Sequence, residues 1–401
     1  MAKIKIISEE KKEESFFDRQ ERIEWWDQKI INSSRVFVAG AGAIGNEVLK
    51  NLALLGFRNF LICDFDTIET SNLSRTILFD ENDIGLKKSE VAASRVSELI
   101  LGNVKNVDWF HGDLVWDVGL GAYTDCDIAL SCLDNIEARK SIAWSCRKLG
   151  IPFIDAGISE LSGHVSVYPV GGGACYMCNL SNAQQKAAGK RYSCDDVKRK
   201  YIEEEKVPTV QVTSAIISAI QCQETVKTLM RTQRKKAFKI CIDGRILIMD
   251  VFELEKNPNC DQMYHQKITY EDIELSSEMT VKEAISKIHN IFGDEAFIDL
   301  SGDRYFVKSV NCRRCGNIIN IMKPSFKLNE SNMYCSEQVN CNSNSIKLTP
   351  DSVPVEKVLL SIIDGKDISI IDLTLSQIGI PDNHIITIVE KDDISHSVRM
   401  R

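Results

Sequence analysis

Gly40, Gly42 and Gly45 stand at G-x-G-x-x-G spacing, after the apolar run RVFVAG and at the start of a predicted helix. In that setting the first glycine makes a tight turn, the second lets a phosphate approach the backbone and the third lets helix and strand pack. Ala43 and Ile44 complete the turn, and the helix N-terminus attracts anions. Asp64 follows Gly45 by 19 residues, at the end of the next apolar run, FLICDF, where a carboxylate meets a ribose hydroxyl. Asp66, two residues on, joins the nucleotide set. A nicotinamide-dependent oxidoreductase and a close-packed turn with no ligand both accommodate these residues. Asn72, Arg75 and Lys88, in the stretch DFDTIETSNLSRTILFDENDIGLKKSEVAASR, separate the readings. An enzyme that splits ATP between its α and β phosphates needs such donors, because charge grows on both fragments in the transition state. Asp134 and Asn135 lie in SCLDN, just beyond the predicted strand DIAL, where parallel sheets place their ligands. Asp134 is positioned there to hold magnesium against the phosphates.

The fourteen cysteines form a second chemical group. Cys175 and Cys178 make a C-x2-C knuckle, the usual spacing for two zinc ligands, after GGGA. Cys312, Cys315, Cys335 and Cys341 follow C-x2-C-x19-C-x5-C, which suits a zinc ribbon holding a loop-rich segment together. Cys63, Cys132, Cys146 and Cys241 read as small buried apolar residues, and Cys222 as core.

The elements that must position these residues alternate. Short apolar runs (RVFVAG, FLICDF, NVDWFHG, DIALS, IPFIDAG) are separated by helical stretches, which predicts an α/β fold with a mostly parallel Rossmann-like sheet. HVSVYPV alternates with period two and is expected to add antiparallel strands. PTVQVTSAIISAIQCQETVKTLMR is expected to be a core helix, and FKICIDGRILIMDVFEL a hairpin around Asp243–Gly244. Residues 1–34 read as a helical segment of the adenylation domain, residues 35–269 as the ATP-binding domain, and residues 270–401 as a separate C-terminal, zinc-containing unit. The chain is long enough for about two or three domains. No apolar run approaches membrane-spanning length, and the charged N-terminus lacks a signal-peptide core. The net charge of −8 argues against broad nucleic-acid binding, and a cytoplasmic protein is expected.

GAGAIG, DFDTIETSNLSR, GLKKSEVAASR, SCLDN and ACYMC occur in the order found in the ThiF/MoeB/HesA family, the bacterial relatives of ubiquitin-activating enzymes. The resemblance covers roughly residues 14–265. It implies that ATP adenylates the C-terminal glycine of a ubiquitin-like protein and that pyrophosphate leaves. By the same resemblance Asp64 binds ribose, Asn72, Arg75 and Lys88 handle phosphates, and Asp134 binds magnesium. Arg19, in FFDRQ, is similar to the arginine of the family's RYxRQ motif, which in family homodimers reaches into the partner's active site. The first two motif positions differ here, and Lys87 stands where proline is common.

In the resembling family a second C-x2-C completes the first knuckle. Here NPNC supplies only Cys260, and His265 is the nearest residue able to serve as fourth ligand. Cys194, in GKRYSCDDVKRK, occupies the crossover region that carries the nucleophile in thioester-forming relatives. The expected partners are therefore a ubiquitin-like or sulfur-carrier protein with a C-terminal glycine, a downstream conjugating enzyme and a second copy of the chain. The expected cofactors are ATP, Mg2+ and Zn2+. Sulfur-carrier adenylation, peptide adenylation, an NAD-dependent oxidoreductase and an inactive zinc scaffold stand as alternatives.

Overall fold

A computed structural model describes residues 15–102, 104–171, 173–180, 209–232, 234–300, 304–312, 316–328 and 355–401. The first eight strands are β1 Arg35–Ala39, β2 Asn59–Cys63, β3 Asn106–Phe110, β4 Ile128–Ser131, β5 Phe153–Ser159, β6 Ser162–Tyr168, β7 Phe238–Asp243 and β8 Ile248–Glu253. They form one sheet in the order β3-β2-β1-β4-β5-β6-β7-β8. β3 through β5 run parallel, and β6, β7 and β8 are added antiparallel. This is the mostly parallel Rossmann-like α/β sheet expected, including the β7–β8 hairpin. The chain winds outward from β1 in both directions, so the crevice for ligands lies where β1 and β4 end.

The central strands are apolar throughout because both faces are covered. Val36, Val38, Ile128 and Leu130 face one side, against Val48, Leu49 and Leu52 of one helix and Ile217, Cys222 and Val226 of another. Phe37, Ala39 and Ala129 face the other side, against Ala138, Ile142 and Cys146. Among the described residues six helices accompany this sheet: α1 Asp18–Glu21, α2 Gln28–Ser33, α3 Ala43–Leu55, α4 Lys88–Leu99, α5 Ile136–Leu149 and α6 Gln211–Leu229. The described N-terminal residues thus form two short helices rather than one. The break falls at Trp25–Trp26, where the Trp26 indole donates to Gln28 Oε1 at 2.9 Å and Asp27 caps α2 through the Lys29 N–H.

Beyond residue 270, β9 Glu271–Ile273, β10 Phe297–Asp299, β14 Ile362–Ile363, β15 Ile385–Val389 and β16 Ser395–Met400 form a second sheet, ordered β14-β10-β15-β16-β9. Its apolar face packs on α7 Val281–Phe292 and α8 Leu375–Ile378, with Ile285, Ile288, Ile298 and Ile388 in the core. A third sheet joins β11 Phe306–Cys312 to β12 Ile318–Pro324 and β13 Val355–Leu360.

The second sheet docks on the segment between β3 and β4. Arg304 spans the seam, with Nη1 donating to the Trp116 carbonyl at 2.7 Å and the Gly379 carbonyl at 2.8 Å. The Gly121 N–H donates to the Asn383 carbonyl, and the Leu120 N–H to His384 Nδ1 at 3.1 Å. Burial, with Arg304 and Lys148 nearby, holds the His384 imidazole well below its ordinary value, so it stays neutral and able to accept. On acidification the unfolded chain takes a proton here that the folded chain refuses, so stability must fall with pH. Below about pH 6.5 this one group is expected to remove up to about 1.4 kcal/mol per pH unit. Thermal melts between neutral and mildly acidic pH, compared with those of His384→Gln, isolate the contribution; equal slopes in the two proteins would refute it.

Candidate active site

The glycine turn is built by close approach. Gly40 has φ +92°, and a Cβ there would lie 2.7 Å from the Cys132 carbonyl oxygen. A Cβ on Gly45 would sit 2.0 Å from the Gly40 carbonyl oxygen, so only glycine lets the first turn of α3 rest on the loop. Gly42, the N-cap of α3, faces open space, which leaves the helix N-terminus accessible to an anion. The Ala41 N–H donates to Asp64 Oδ2 at 2.7 Å, tying the turn to the end of β2. The other Asp64 oxygen accepts the Asp66 N–H at 2.8 Å. Burial pushes the Asp64 carboxyl above its usual value, although Lys88 and these two N–H groups pull it down.

Lys88 opens α4 and is 8% exposed, with Nζ 2.8 Å from Asp66 Oδ2. A nearly buried ammonium with one carboxylate partner beside a glycine turn has the chemistry to pair with an anion such as phosphate. Arg75 Nη1 donates to the Ser71 carbonyl at 2.7 Å. Asn72 is buried, and its Oδ1 accepts the Glu69 N–H at 3.0 Å, which shapes the turn bearing these residues. On the opposite wall, Cys132 and Leu133 touch the Gly40 position, so the loop after β4 borders the glycine turn. Asn135 caps α5 by accepting the Ala138 N–H at 2.8 Å, leaving the Asp134 carboxylate exposed. A hard oxygen donor beside a phosphate cradle fits Mg2+.

Arg19 is not brought to this crevice. Its helix is tied to the far end of α3, where Gln20 Nε2 donates to the Leu55 carbonyl at 2.8 Å. The length of α3 puts that end about 20 Å from Gly42. Cys194 lies outside the described residues. Cys312 ends β11, while Cys315, Cys335 and Cys341 also lie outside the described residues, so that set stands on its spacing.

Cys175, Cys178, Cys260 and His265 converge, their ligand atoms all within 4.8 Å of one another. Cys175 Sγ is 3.6 Å from Cys178 Sγ and 3.7 Å from Cys260 Sγ. His265 Nε2 is 3.5 Å and 3.4 Å from Cys175 and Cys178. Tetrahedral zinc with Zn–S near 2.3 Å requires S···S edges of about 3.8 Å and shorter S···N edges, which these match. Burial, with Lys256 and Arg147 nearby, holds the His265 imidazole below its ordinary value, in the neutral form a metal needs. The residues fit zinc as a structural Cys3His site. Elsewhere Cys63, Cys132, Cys146 and Cys222 are buried as expected, and Cys241 is half-buried.

Residues 16–262 match the ThiF family. The chain belongs to the ThiF family. Among curated relatives, it is 37% identical over 149 residues to SUMO-activating enzyme subunit 2 of Dictyostelium discoideum, covering 37% of this chain and 22% of that one. It is 39% identical over 159 residues to the NEDD8-activating enzyme E1 catalytic subunit of Arabidopsis thaliana, covering 36% and 34%. It is 26% identical over 246 residues to ubiquitin-like modifier-activating enzyme 5 of Oryza sativa subsp. japonica, covering 57% and 56%. The aligned region is thus between about a fifth and just over half of these relatives' length. Among solved structures, E. coli MccB aligns over 62% of this chain and 69% of that one at 21% identity, with a TM-score of 0.48.

Within this ThiF-family domain several supporting residues escaped the sequence reading. Asn46 is fully buried, donating from Nδ2 to the Ala41 carbonyl at 2.6 Å and accepting the Leu78 N–H at 2.9 Å, which joins the glycine turn to the Arg75 segment. Gln221, also fully buried, donates to the Ser131 and Ile154 carbonyls at 3.1 Å each. Several other polar residues share these helices, so the sequence alone did not single out either one. Among the described residues no helix is long and apolar enough to cross a membrane.

Proposed function

We propose that this chain uses ATP to adenylate the C-terminal glycine carboxylate of a ubiquitin-like carrier protein. The observation that carries the reading is the gathering of an open helix N-terminus at Gly42, the buried Lys88 ammonium and the Asp64 carboxylate at one crevice, with the Asp134 loop as its wall. The SUMO-, NEDD8- and ubiquitin-like-modifier-activating relatives support a ubiquitin-like carrier.

In the proposed reaction a carboxylate oxygen of the glycine attacks the α-phosphorus in line. The bond from that phosphorus to the bridging oxygen breaks, giving a carrier acyl-adenylate and pyrophosphate. The glycine carboxylate is already ionised at neutral pH, so no base is needed. Asp64 orients the ribose, and Lys88 and Arg75 stabilise charge on the departing pyrophosphate. Asp134 would hold Mg2+, which when bound supplies further charge neutralisation. Arg19 acts from a second copy of the chain in a homodimer, since it lies away from its own crevice. The Cys175, Cys178, Cys260 and His265 set would hold zinc as a structural brace. Cys194 then accepts the carrier as a thioester, with AMP leaving, and the unit beyond residue 270 recruits the next enzyme of a cytoplasmic conjugation pathway.

The test is to incubate the protein with Mg-ATP and a ubiquitin-like carrier ending in glycine, measuring ATP–pyrophosphate exchange and intact masses with and without reductant. Carrier-dependent exchange with a reductant-sensitive adduct that Cys194→Ala abolishes is expected. Exchange without adduct replaces thioester transfer by sulfur transfer. Saturable NAD(H) binding without exchange overturns the whole reading.

A further inference from the structure

Arg139 lies in the first turn of α5, the end of a helix where a cation is electrostatically disfavoured. It is nevertheless largely buried, with 13% of its side chain exposed. Its guanidinium folds back over the helix start, donating from Nε to the Leu133 carbonyl at 3.0 Å and from Nη2 to the same oxygen. Leu133 immediately precedes Asp134. Two groups face the guanidinium, and a third supports one of them. Asp155 on β5, with its side chain 1% exposed, has Oδ1 3.6 Å from Arg139 Nε. Tyr176, on the turn between Cys175 and Cys178, lies close enough for its hydroxyl and the Arg139 guanidinium to interact electrostatically. His164 Nε2 lies 3.7 Å from Asp155 Oδ2. A Cβ on Gly157 would come within 2.6 Å of His164 Cε1 and 3.1 Å of Arg139 Nη1, so the strand leaves room for this crossing.

We infer that Arg139 is a positioning residue for the metal-binding carboxylate: it fixes the Leu133–Asp134 peptide and couples the cysteine knuckle, through Tyr176, to the nucleotide crevice. The inference rests on the proposed role of Asp134. The carbonyl that Arg139 grips belongs to the same peptide group as the Asp134 nitrogen, so its orientation sets the direction in which the Asp134 side chain leaves the backbone. Burial pushes the Asp155 carboxyl up, but Arg139 and His164 outweigh it and hold the carboxyl below its ordinary value, so the anion facing Arg139 persists. The planar fork matters as much as the charge. A lysine would keep the cation but could not grip the carbonyl from two nitrogens while facing Asp155 and Tyr176.

The experiment is calorimetric titration of the full-length protein with ATP, with and without Mg2+, for the wild type, Asp134→Ala, Arg139→Lys and Tyr176→Phe. The wild type should bind ATP more tightly with Mg2+, and Asp134→Ala should lose that gain. Arg139→Lys should shrink the gain about tenfold, as expected for outer groups that orient a metal ligand, and leave metal-free ATP affinity unchanged. Tyr176→Phe should lie between Arg139→Lys and wild type. A wild type that binds no ATP, or a gain that survives Asp134→Ala, overturns the functional reading and the inference with it. A normal gain in folded Arg139→Lys and Tyr176→Phe, with Asp134→Ala defective, overturns the inference alone. Loss of metal-free binding in parallel with the gain also overturns it, because that pattern marks general disruption of the crevice.

Discussion

Asp134→Ala is expected to abolish carrier-dependent ATP–pyrophosphate exchange, lowering the rate at least about a hundredfold. The reason is geometric and electrostatic. Asp134 is exposed on the loop that borders the glycine turn, and Asn135, not Asp134, caps α5, so the substitution removes the proposed ligand without unmaking the helix. In the proposed reaction Lys88 and Arg75 would supply the cations for the phosphates, but each is already engaged by a neighbour: Lys88 by Asp66, Arg75 by the Ser71 carbonyl. Neither would replace the charge that a divalent ion held by Asp134 would supply. A melting temperature equal to wild type should accompany the loss of exchange. Near-normal exchange by the alanine variant would remove Asp134 from the proposed chemistry.

Loss of the proposed zinc from the Cys175, Cys178, Cys260 and His265 set is the second large effect expected. These residues come from two places far apart in sequence, the turn after Gly173 and the turns that follow β8, and so brace the end of the large sheet's chain path against α5. Without a metal, burial and the neighbouring thiols push Cys175 and Cys260 up, so these two rest as neutral thiols and a bound metal would have to displace their protons. Cys178→Ser is expected to lower bound zinc by one ion per chain, measured by elemental mass spectrometry. Loss of a structural metal belongs with the changes that cost above about 4 kcal/mol, so melting should fall sharply. Unchanged zinc content and unchanged melting in that variant would show that the four side chains meet without binding a metal.

The glycine turn, Asp64 and the first cysteine knuckle were legible because their physics is local: a strand, a spacing and a turn suffice. The parallel sheet was legible because buried strands read as continuous apolar runs separated by helices. Arg139 was not, because ARKSIAW gives no sign that Asp155, on the next strand, will lie beside it. Its burial is created by packing between elements. His265 was visible only as a nearby ligand type, since nothing in NPNCDQMYH fixes the turn that swings it back toward Cys178. The docking of the C-terminal unit was equally hidden, because Arg304 and His384 meet backbone groups of Trp116 and Leu120, and Gly121 meets that of Asn383, partners that carry no side-chain signature.

Gln221 gives the molecule a constraint on how it can be recombined. Its amide serves the Ser131 carbonyl at the carboxyl end of β4 and the Ile154 carbonyl near the amino end of β5, from a helix that enters much later in the chain. A chimera that took α6 from a relative with an apolar residue at this position would strand two carbonyls in a dry interior, at about 1–3 kcal/mol each. Strand ends and helix are therefore inherited as a unit, and a recombination boundary between residues 160 and 210 would succeed only where the glutamine travels with the sheet it serves.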